Sequence, residues 1–186
     1  MIGYAFCGSF CTHAAALREM KSLIASGYEL LPIMSETVWT TDTRFGTAEA
    51  LRTAVGEITG HEIIHSVVDA EPLGPSMPLD ALIIAPCTGN TLAKIANGIT
   101  DTAVCMAAKA HLRSDRPLVI TLASNDALSA NLCNIATLLS RKHVYFVPMR
   151  QDDPEKKPHS LVADFSLIAP TLEAAFSGKQ FRRLFL

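Results

Sequence analysis

The chain has 186 residues, 49% of them hydrophobic and 18% charged, and a formal net charge of −2. That length fits one domain, 1–186, with enough core to fold without a disulfide or metal staple. The composition excludes a disordered segment, and without a basic stripe it gives no footing to a nucleic-acid partner. The apolar N-terminal run lacks the basic stretch of a secretory signal, and no eighteen-residue apolar run suggests a membrane span.

Ile2–Cys7 is a compact apolar run closed by Gly8-Ser9 and predicts a buried strand. His13–Ser26 carries Ala16, Leu17, Met20, Leu23 and Ile24 at helical spacing, and Gly27 is its stop. Leu30–Met34 predicts a second strand, which Pro32 assigns to an edge or a strand end. Thr37–Gly46 reads as irregular surface. Thr47–Gly60 predicts a helix with Ala50, Leu51, Ala54, Val55 and Ile58 on one face. Ile63–Val68 reads as a third strand, and the proline-rich 70–78 stretch as a loop.

Leu82–Ala85 predicts a fourth strand that Pro86 ends, followed by helical patterns over Thr91–Ile99 and Thr102–Leu112. Leu118–Leu122 predicts a fifth strand, Ala130–Ser140 a helix and Val144–Val147 a sixth strand. Gln151–His159 reads as a loop, which with Thr37–Gly46 is a candidate for ligand or partner contacts, and Leu167–Phe176 as a last helix closed by Gly178. Strands alternating with helices imply a Rossmann-like or flavodoxin-like three-layer α/β sandwich with a mostly parallel six-stranded sheet.

The five cysteines are odd in number and scattered, which fits reduced thiols in a cytoplasmic protein. Cys7 and Cys11 lack a second pair to complete a zinc site, and His61 and His65 fall on a strand pattern, so no metal is expected.

In sheets of this kind ligands bind beyond the carboxyl ends of the strands. Four segments fall there: 7–12, 35–37, 86–91 and 121–126. They are rich in Ser, Thr, Gly and Asn and nearly free of Lys and Arg. Gly8, Ser9 and Thr12 at a helix opening, with Ser35 and Thr37 from the next loop, form a candidate phosphate cradle of main-chain N–H groups and hydroxyls. Ser9 and Thr12 can equally be N-cap residues. Neither a GxGxxG nor a GxxxxGK[ST] is present, so one phosphate, as in a mononucleotide, suits the loop better than a pyrophosphate. Pro86, Thr88, Gly89, Asn90 and Thr91 are candidates to line a flat heterocycle, or else form an ordinary strand-to-helix turn.

Pro86–Asp101, PCTGNTLAKIANGITD, resembles the PASANT motif and following helix of the homo-oligomeric flavin-containing cysteine decarboxylases. That resemblance implies a Rossmann-like fold, FMN bound between subunits, and trimers or dodecamers. The second motif of those enzymes, PAMNxxMW, is matched at Leu122–Ser129 only by Asn125. Counting back from Asp80 to their catalytic His reaches Pro72, with His61 and His65 off register, and no Cys stands in the C-terminal flap region. These departures, with Ala70–Pro75, Ile84–Asn90, Ser124–Leu128 and the QDDPEKKP of Gln151–Pro158, resemble the family of dipicolinate synthase B subunits.

This second resemblance implies oxidation of dihydrodipicolinate to dipicolinate during sporulation, in the mother-cell cytoplasm, with an NADPH-binding A subunit as partner. It makes Asn125 the catalytic candidate, with Ser124 beside it. Lys156 and Lys157 become candidates to meet the dicarboxylate, as do Arg44 and Lys94. Trp39 could shield a flavin or belong to the core, and Asp101 could cap the next helix or touch cofactor. A flavin-dependent decarboxylase, a non-catalytic FMN-binding scaffold for the A subunit, and a prenyl-flavin synthase of the same fold remain as alternatives.

Overall fold

Five apolar segments build a parallel sheet. They are β1 (Ile2–Phe6), β2 (Leu30–Met34), β3 (Ala81–Cys87), β4 (Leu118–Ser124) and β5 (Val144–Phe146), in the order β2-β1-β3-β4-β5. Every residue of these strands is buried. That is why they read as continuous apolar runs: both faces of the sheet are covered. The computed structural model describes residues 1–74 and 76–186. Pro75, part of the expected 70–78 loop, lies outside the described residues.

The sheet gains two short antiparallel strands, β6 (Met149–Gln151) and β7 (Leu161–Ala163). The first half of β4 pairs with β5 through Leu118–Ile120, and its end pairs with β7 through Ala123 and Ser124. Among the described residues the sheet therefore has seven strands rather than the six expected. The expected loop 151–159 is the connection between β6 and β7 except for Gln151, which is the last residue of β6 and pairs with Leu161.

The helices are α1 (His13–Ala25), α2 (Glu36–Thr40), α3 (Ala48–Thr59), α4 (Val67–Ala70), α5 (Gly89–Ala96), α6 (Ala103–Leu112), α7 (Leu132–Leu139) and α8 (Ile168–Phe176). Their starts are written in the sequence. Thr47, Thr88 and Thr102 accept the N–H of Ala50, Thr91 and Cys105 and so cap α3, α5 and α6. Gly60 closes α3 at φ 70°, a left-handed conformation that costs a side chain least when it is absent.

Two expectations about strands are corrected. Ile63–Val68 is not a strand. Ile64 alone bridges Ile33, accepting from Met34 N at 2.8 Å and donating to Pro32 O at 3.0 Å. Because Pro32 O faces Ile64, its nitrogen faces the same edge and has no hydrogen to offer. Ser66 then caps α4 by accepting from Asp69 N, turning the chain into helix. Nor does Pro86 end its strand: β3 runs through it to Cys87, across a register shift between Ile84 and Cys87. A strand proline is tolerated at such an irregularity, and the Ala85–Pro86 peptide is cis.

Candidate functional site

The strand order β2-β1-β3 reverses direction at β1 and β3, the position where flavodoxin-like sheets open a crevice for ligand. Here a cleft of about 330 Å³ gathers Ser9, Cys11 and Thr12 after β1, Thr88, Gly89 and Asn90 after β3, and Ala123–Asp126 at and beyond the end of β4. Asp152, Lys157 and Val162, from the β6–β7 connection and β7, complete it. The volume lies at the small end of the range for ligand pockets, about 300–1,000 Å³.

The wall after β1 is a short 3₁₀ turn over Phe10–Thr12. Ser9 enters it in the left-handed conformation, φ 60° and ψ 46°. Its hydroxyl donates to Ala123 O at 2.8 Å, tying this turn to the end of β4. The Thr12 hydroxyl donates to Ser9 O at 2.8 Å. Gly8 stands against Thr88, where a Cβ would lie 3.2 Å from the Thr88 methyl.

The wall after β3 is the opening of α5. The Thr88 hydroxyl accepts the Thr91 N–H at 3.2 Å and donates to the Thr91 hydroxyl at 3.1 Å. As first-turn residues, Gly89 and Asn90 have N–H groups without an intrahelical acceptor. The Asn90 side chain is exposed at the cleft. Thr91 and Pro86 are buried behind this wall and do not line it.

The third wall is a polar network. The Ser124 hydroxyl donates to Asp126 Oδ1, and Asn131 Nδ2 donates to Asp126 Oδ2 at 2.9 Å. Asn134 Nδ2 in turn donates to Asn131 Oδ1 at 2.9 Å. The Ser124 hydrogen bond, ahead of the Asn131 amide, holds the Asp126 carboxyl below the usual range against the opposing effect of burial. Gly89 packs on this network: a Cβ there would come within 2.5 Å of Ser124 Oγ and 2.8 Å of Asp126 Oδ1. Asn125 projects from the network into solvent at the cleft.

The β6–β7 connection brings the cleft's cation. Lys157 Nζ pairs with Asp152 Oδ2 at 2.5 Å, and this carboxylate holds the ammonium above its usual range. Lys156 is exposed and does not line the cleft.

The other candidates lie elsewhere. Ser35 caps α2 and donates its N–H to Phe6 O at 3.0 Å, so it sits beside the end of β1 without lining the cleft. Thr37 is exposed on α2, and its carbonyl accepts from Thr41 N. Lys94 pairs with Asp101 at 2.9 Å. Arg44 lies over the Phe45 ring. Trp39 stacks on His65 at 3.8 Å, with the Arg52 guanidinium 4.7 Å from its ring. None of these lines the cleft.

A second hollow of about 280 Å³ abuts the cleft at Cys11, between α1, α3 and the 41–47 turn. His13 lines it, and its Nε2 donates to Cys7 O at 2.8 Å. Burial lowers the His13 pKa, so the ring is neutral at pH 7. Burial also pushes the Cys7 thiol up to about 12 and raises Cys87, while Cys11 and Cys133 are exposed. Among the described residues no three His, Cys, Asp or Glu side chains gather to hold a metal, and no helix is long and apolar enough to cross a membrane.

Comparison with known proteins bears on what such a cleft holds. The model of the Flavoprotein family matches residues 55–165. The chain belongs to the flavoprotein family. Within that family it is 44% identical over 179 residues to the B subunit of dipicolinate synthase from Bacillus subtilis (strain 168), covering 96% of this chain and 90% of that protein. The crystal structure of the dipicolinate synthase B subunit from Bacillus halodurans superposes with a TM-score of 0.92 at 42% identity, covering 100% of this chain and 95% of that one. The FMN-dependent cysteine decarboxylase SpaF shares the fold at a TM-score of 0.68 and 24% identity, covering 94% and 95% of the two chains.

Sequence reasoning placed Cys11 and Asp126 in the strand-end segments 7–12 and 121–126 and Asp152 in the 151–159 loop without giving any of the three a role, and passed over Val162. For Asp126 a signal existed: Ser-Asn-Asp at a strand end is a pattern in which side chains bond neighbouring groups and fix a turn. For Asp152 the signal was its spacing from Lys157 within a proline-bounded loop.

Proposed function

We propose that this chain, as a single flavoprotein domain over 1–186, binds FMN in the cleft and serves as the B subunit of a dipicolinate synthase. The observation that carries the reading is the meeting of the ends of β1, β3 and β4 at the switch point. There, among the described residues, the walls offer hydroxyls, amides and main-chain N–H groups beside Asp126 and Asp152, and the one lining cation, Lys157, is exposed to solvent. Neutral hydroxyls, an amide and the unpartnered N–H groups of Gly89 and Asn90 suit the carbonyls and nitrogens of an isoalloxazine. The left-handed Ser9 turn, beside Gly8, suits one phosphate at the opening of the following helix. Ser35 and Thr37 would join that cradle from the next loop only on rearrangement, since the Ser35 hydroxyl now caps α2.

FMN held there supplies a two-electron acceptor for removal of two hydrogens from the dihydropyridine ring. The chain's own residues bind and orient. Asn90 and Asn125 offer side-chain amides to ring and substrate, and Ser124 is committed to Asp126. Lys157, more than Lys156, is placed to meet a carboxylate. The partner is an NADPH-binding A subunit, the setting is the mother-cell cytoplasm of a sporulating bacterium, and the family resemblance points to a trimer or dodecamer of this chain.

One observation favours a second reading, an FMN-binding scaffold that leaves catalysis to the A subunit. Both oxygens of Asp126 are engaged, Asp152 is paired, and among the described residues no histidine and no unpaired acid or base lines the cleft. The same observation weighs against a decarboxylase with a catalytic histidine.

The test is the visible spectrum of the purified chain after FMN is added and excess removed by gel filtration. Retained flavin bands, lost in Asn90→Ala, are expected; a colourless protein, alone and with the A subunit, sinks the reading. Turnover of dihydrodipicolinate by the A subunit, unchanged when this chain is omitted, favours the scaffold.

A further inference from the structure

Among the described residues that line the cleft Lys157 is the only cation, and its partner is an acid that lines the cleft with it. Their backbone is held from several sides. Lys157 N donates to Asp153 O at 2.7 Å, and Lys157 O accepts from Ser160 N at 3.0 Å. Gln151 Nε2 donates to Pro158 O at 3.0 Å, and Leu128 N donates to His159 O at 2.9 Å, binding the connection to the loop after β4. The main chain is fixed and the Lys157 side chain is left to choose among partners. Its side chain is 52% exposed and that of Asp152 40%, so exchanging one partner for another is cheap.

The remaining acid of the cleft does not compete, because Ser124 and Asn131 hold both oxygens of Asp126. Nor does another cation substitute. Lys94 is paired with Asp101, Arg150 with Asp164 at 3.6 Å, and Lys156 is exposed and not among the lining residues. With Asp126, Asp152 and Lys157 ionised, the cleft carries a net negative charge, which opposes an anionic ligand.

Resting on the proposed function above, we infer that Lys157 is the anion-receiving group of this cleft and Asp152 its built-in competitor, displaced when a ligand's phosphate or carboxylate takes the ammonium. Asp152 thereby sets specificity. A neutral or singly charged ring analogue gains too little from Lys157 to open the pair, whereas a dicarboxylate or a phosphate ester does. The consequence is opposite in sign for the two partners of one ion pair: removing the lysine weakens anion binding and removing the aspartate strengthens it.

Titration calorimetry on the full chain tests this with three probes: pyridine-2,6-dicarboxylate, FMN, and riboflavin, which lacks the phosphate. Lys157→Met is expected to weaken the anion by about tenfold, as for loss of one hydrogen bond to a charged group. Asp152→Asn is expected to tighten it by about two- to fivefold, the modest ratio that release of an exposed ion pair allows. The gain from Asp152→Asn must vanish in the Lys157→Met background, because it acts through the lysine. If the dicarboxylate responds, the ligand's carboxylate is the anion; if FMN responds and riboflavin does not, the phosphate is.

Weaker or unchanged anion binding in Asp152→Asn, a gain that survives without the lysine, or a larger loss in Lys156→Gln than in Lys157→Met each overturns the inference. Failure of the wild-type chain to bind FMN would sink the flavin reading while the dicarboxylate arm still reports on Lys157. Far-UV circular dichroism of each variant confirms that the exposed substitutions leave the fold in place.

Discussion

Gly89→Ala sets two magnitudes against each other. Gly89 opens α5, and alanine in a helix is favoured over glycine by up to about 1 kcal/mol. Against this, the new Cβ would lie 2.5 Å from Ser124 Oγ, 2.6 Å from Asn131 Nδ2 and 2.8 Å from Asp126 Oδ1, well inside ordinary contact. These atoms cannot step back separately, because Asp126 binds both of the others and Asn131 is held further by Asn134. Overpacking costs about 1–3 kcal/mol, and a lost bond to a carboxylate about 1.5–3 kcal/mol. Net destabilisation of about 2–4 kcal/mol is expected, a fall in Tm of roughly 4–16 °C for a domain of this size. Gly56→Ala is the control. It lies within α3, its Cβ meets nothing within 4 Å, and the same exchange should stabilise by about 0.5–1 kcal/mol. Thermal and urea unfolding of both variants decide the matter. A Gly89→Ala protein as stable as wild type would refute the rigidity assigned to the Ser124–Asp126–Asn131 network.

Asp126 is held below the usual carboxylate range, so its contribution is fully present above the unfolded value of about 3.9 and is lost as pH falls through the folded value. The stability gap between wild type and Asp126→Asn, followed by urea unfolding, should therefore narrow as pH drops from about 5 towards about 2; a gap constant with pH would contradict it. In the native protein a thiol reagent should find two fast cysteines, Cys11 and Cys133, and three slow ones, since burial raises Cys7, Cys87 and Cys105. FMN or dicarboxylate bound in the cleft should slow Cys11 and leave Cys133 unchanged, as only Cys11 lines it. Arg141→Ala should lose about 1–2 kcal/mol, because the guanidinium donates to the carbonyls of Ile95 and Ala96 at the end of α5, at 3.3 and 2.8 Å; an unchanged urea midpoint would deny that cap its role.

The helices were legible because their punctuation is local. Thr47 and Gly60 bound α3 by contacts that span at most four residues. The 63–68 segment misled because its β-branched content points to a strand, while the cap that starts at Ser66 and closes on Asp69, one residue beyond it, points to a helix and prevails. Pro32 carried the missing clue. A proline that denies its N–H to the outer edge of β2 leaves a neighbour there only one bridge, and Ile64 takes it. β6 and β7 escaped notice for another reason. Each is three residues long, and neither shows a period of two from which to read a face. Their existence depends on β4 outrunning β5 by several residues, a mismatch visible only in three dimensions.

The cleft was legible to the extent that it obeys a topological rule. Ser9, Thr12, Thr88, Gly89, Asn90, Ser124 and Asn125 all stand at or just beyond the carboxyl end of a parallel strand, and all seven line one cavity. Ser35 satisfies the same rule and was diverted, since a serine beside a helix start satisfies the helix first. Asp126 and Asp152 were harder because an acid's role depends on its partners. Asp126, with both oxygens engaged, is a template on which the Thr88–Asn90 turn rests. Asp152, with one exposed lysine, is a group that another anion can displace. Two acids in one cleft thus differ in kind through the rigidity of their surroundings, and a sequence records the acids but not that rigidity.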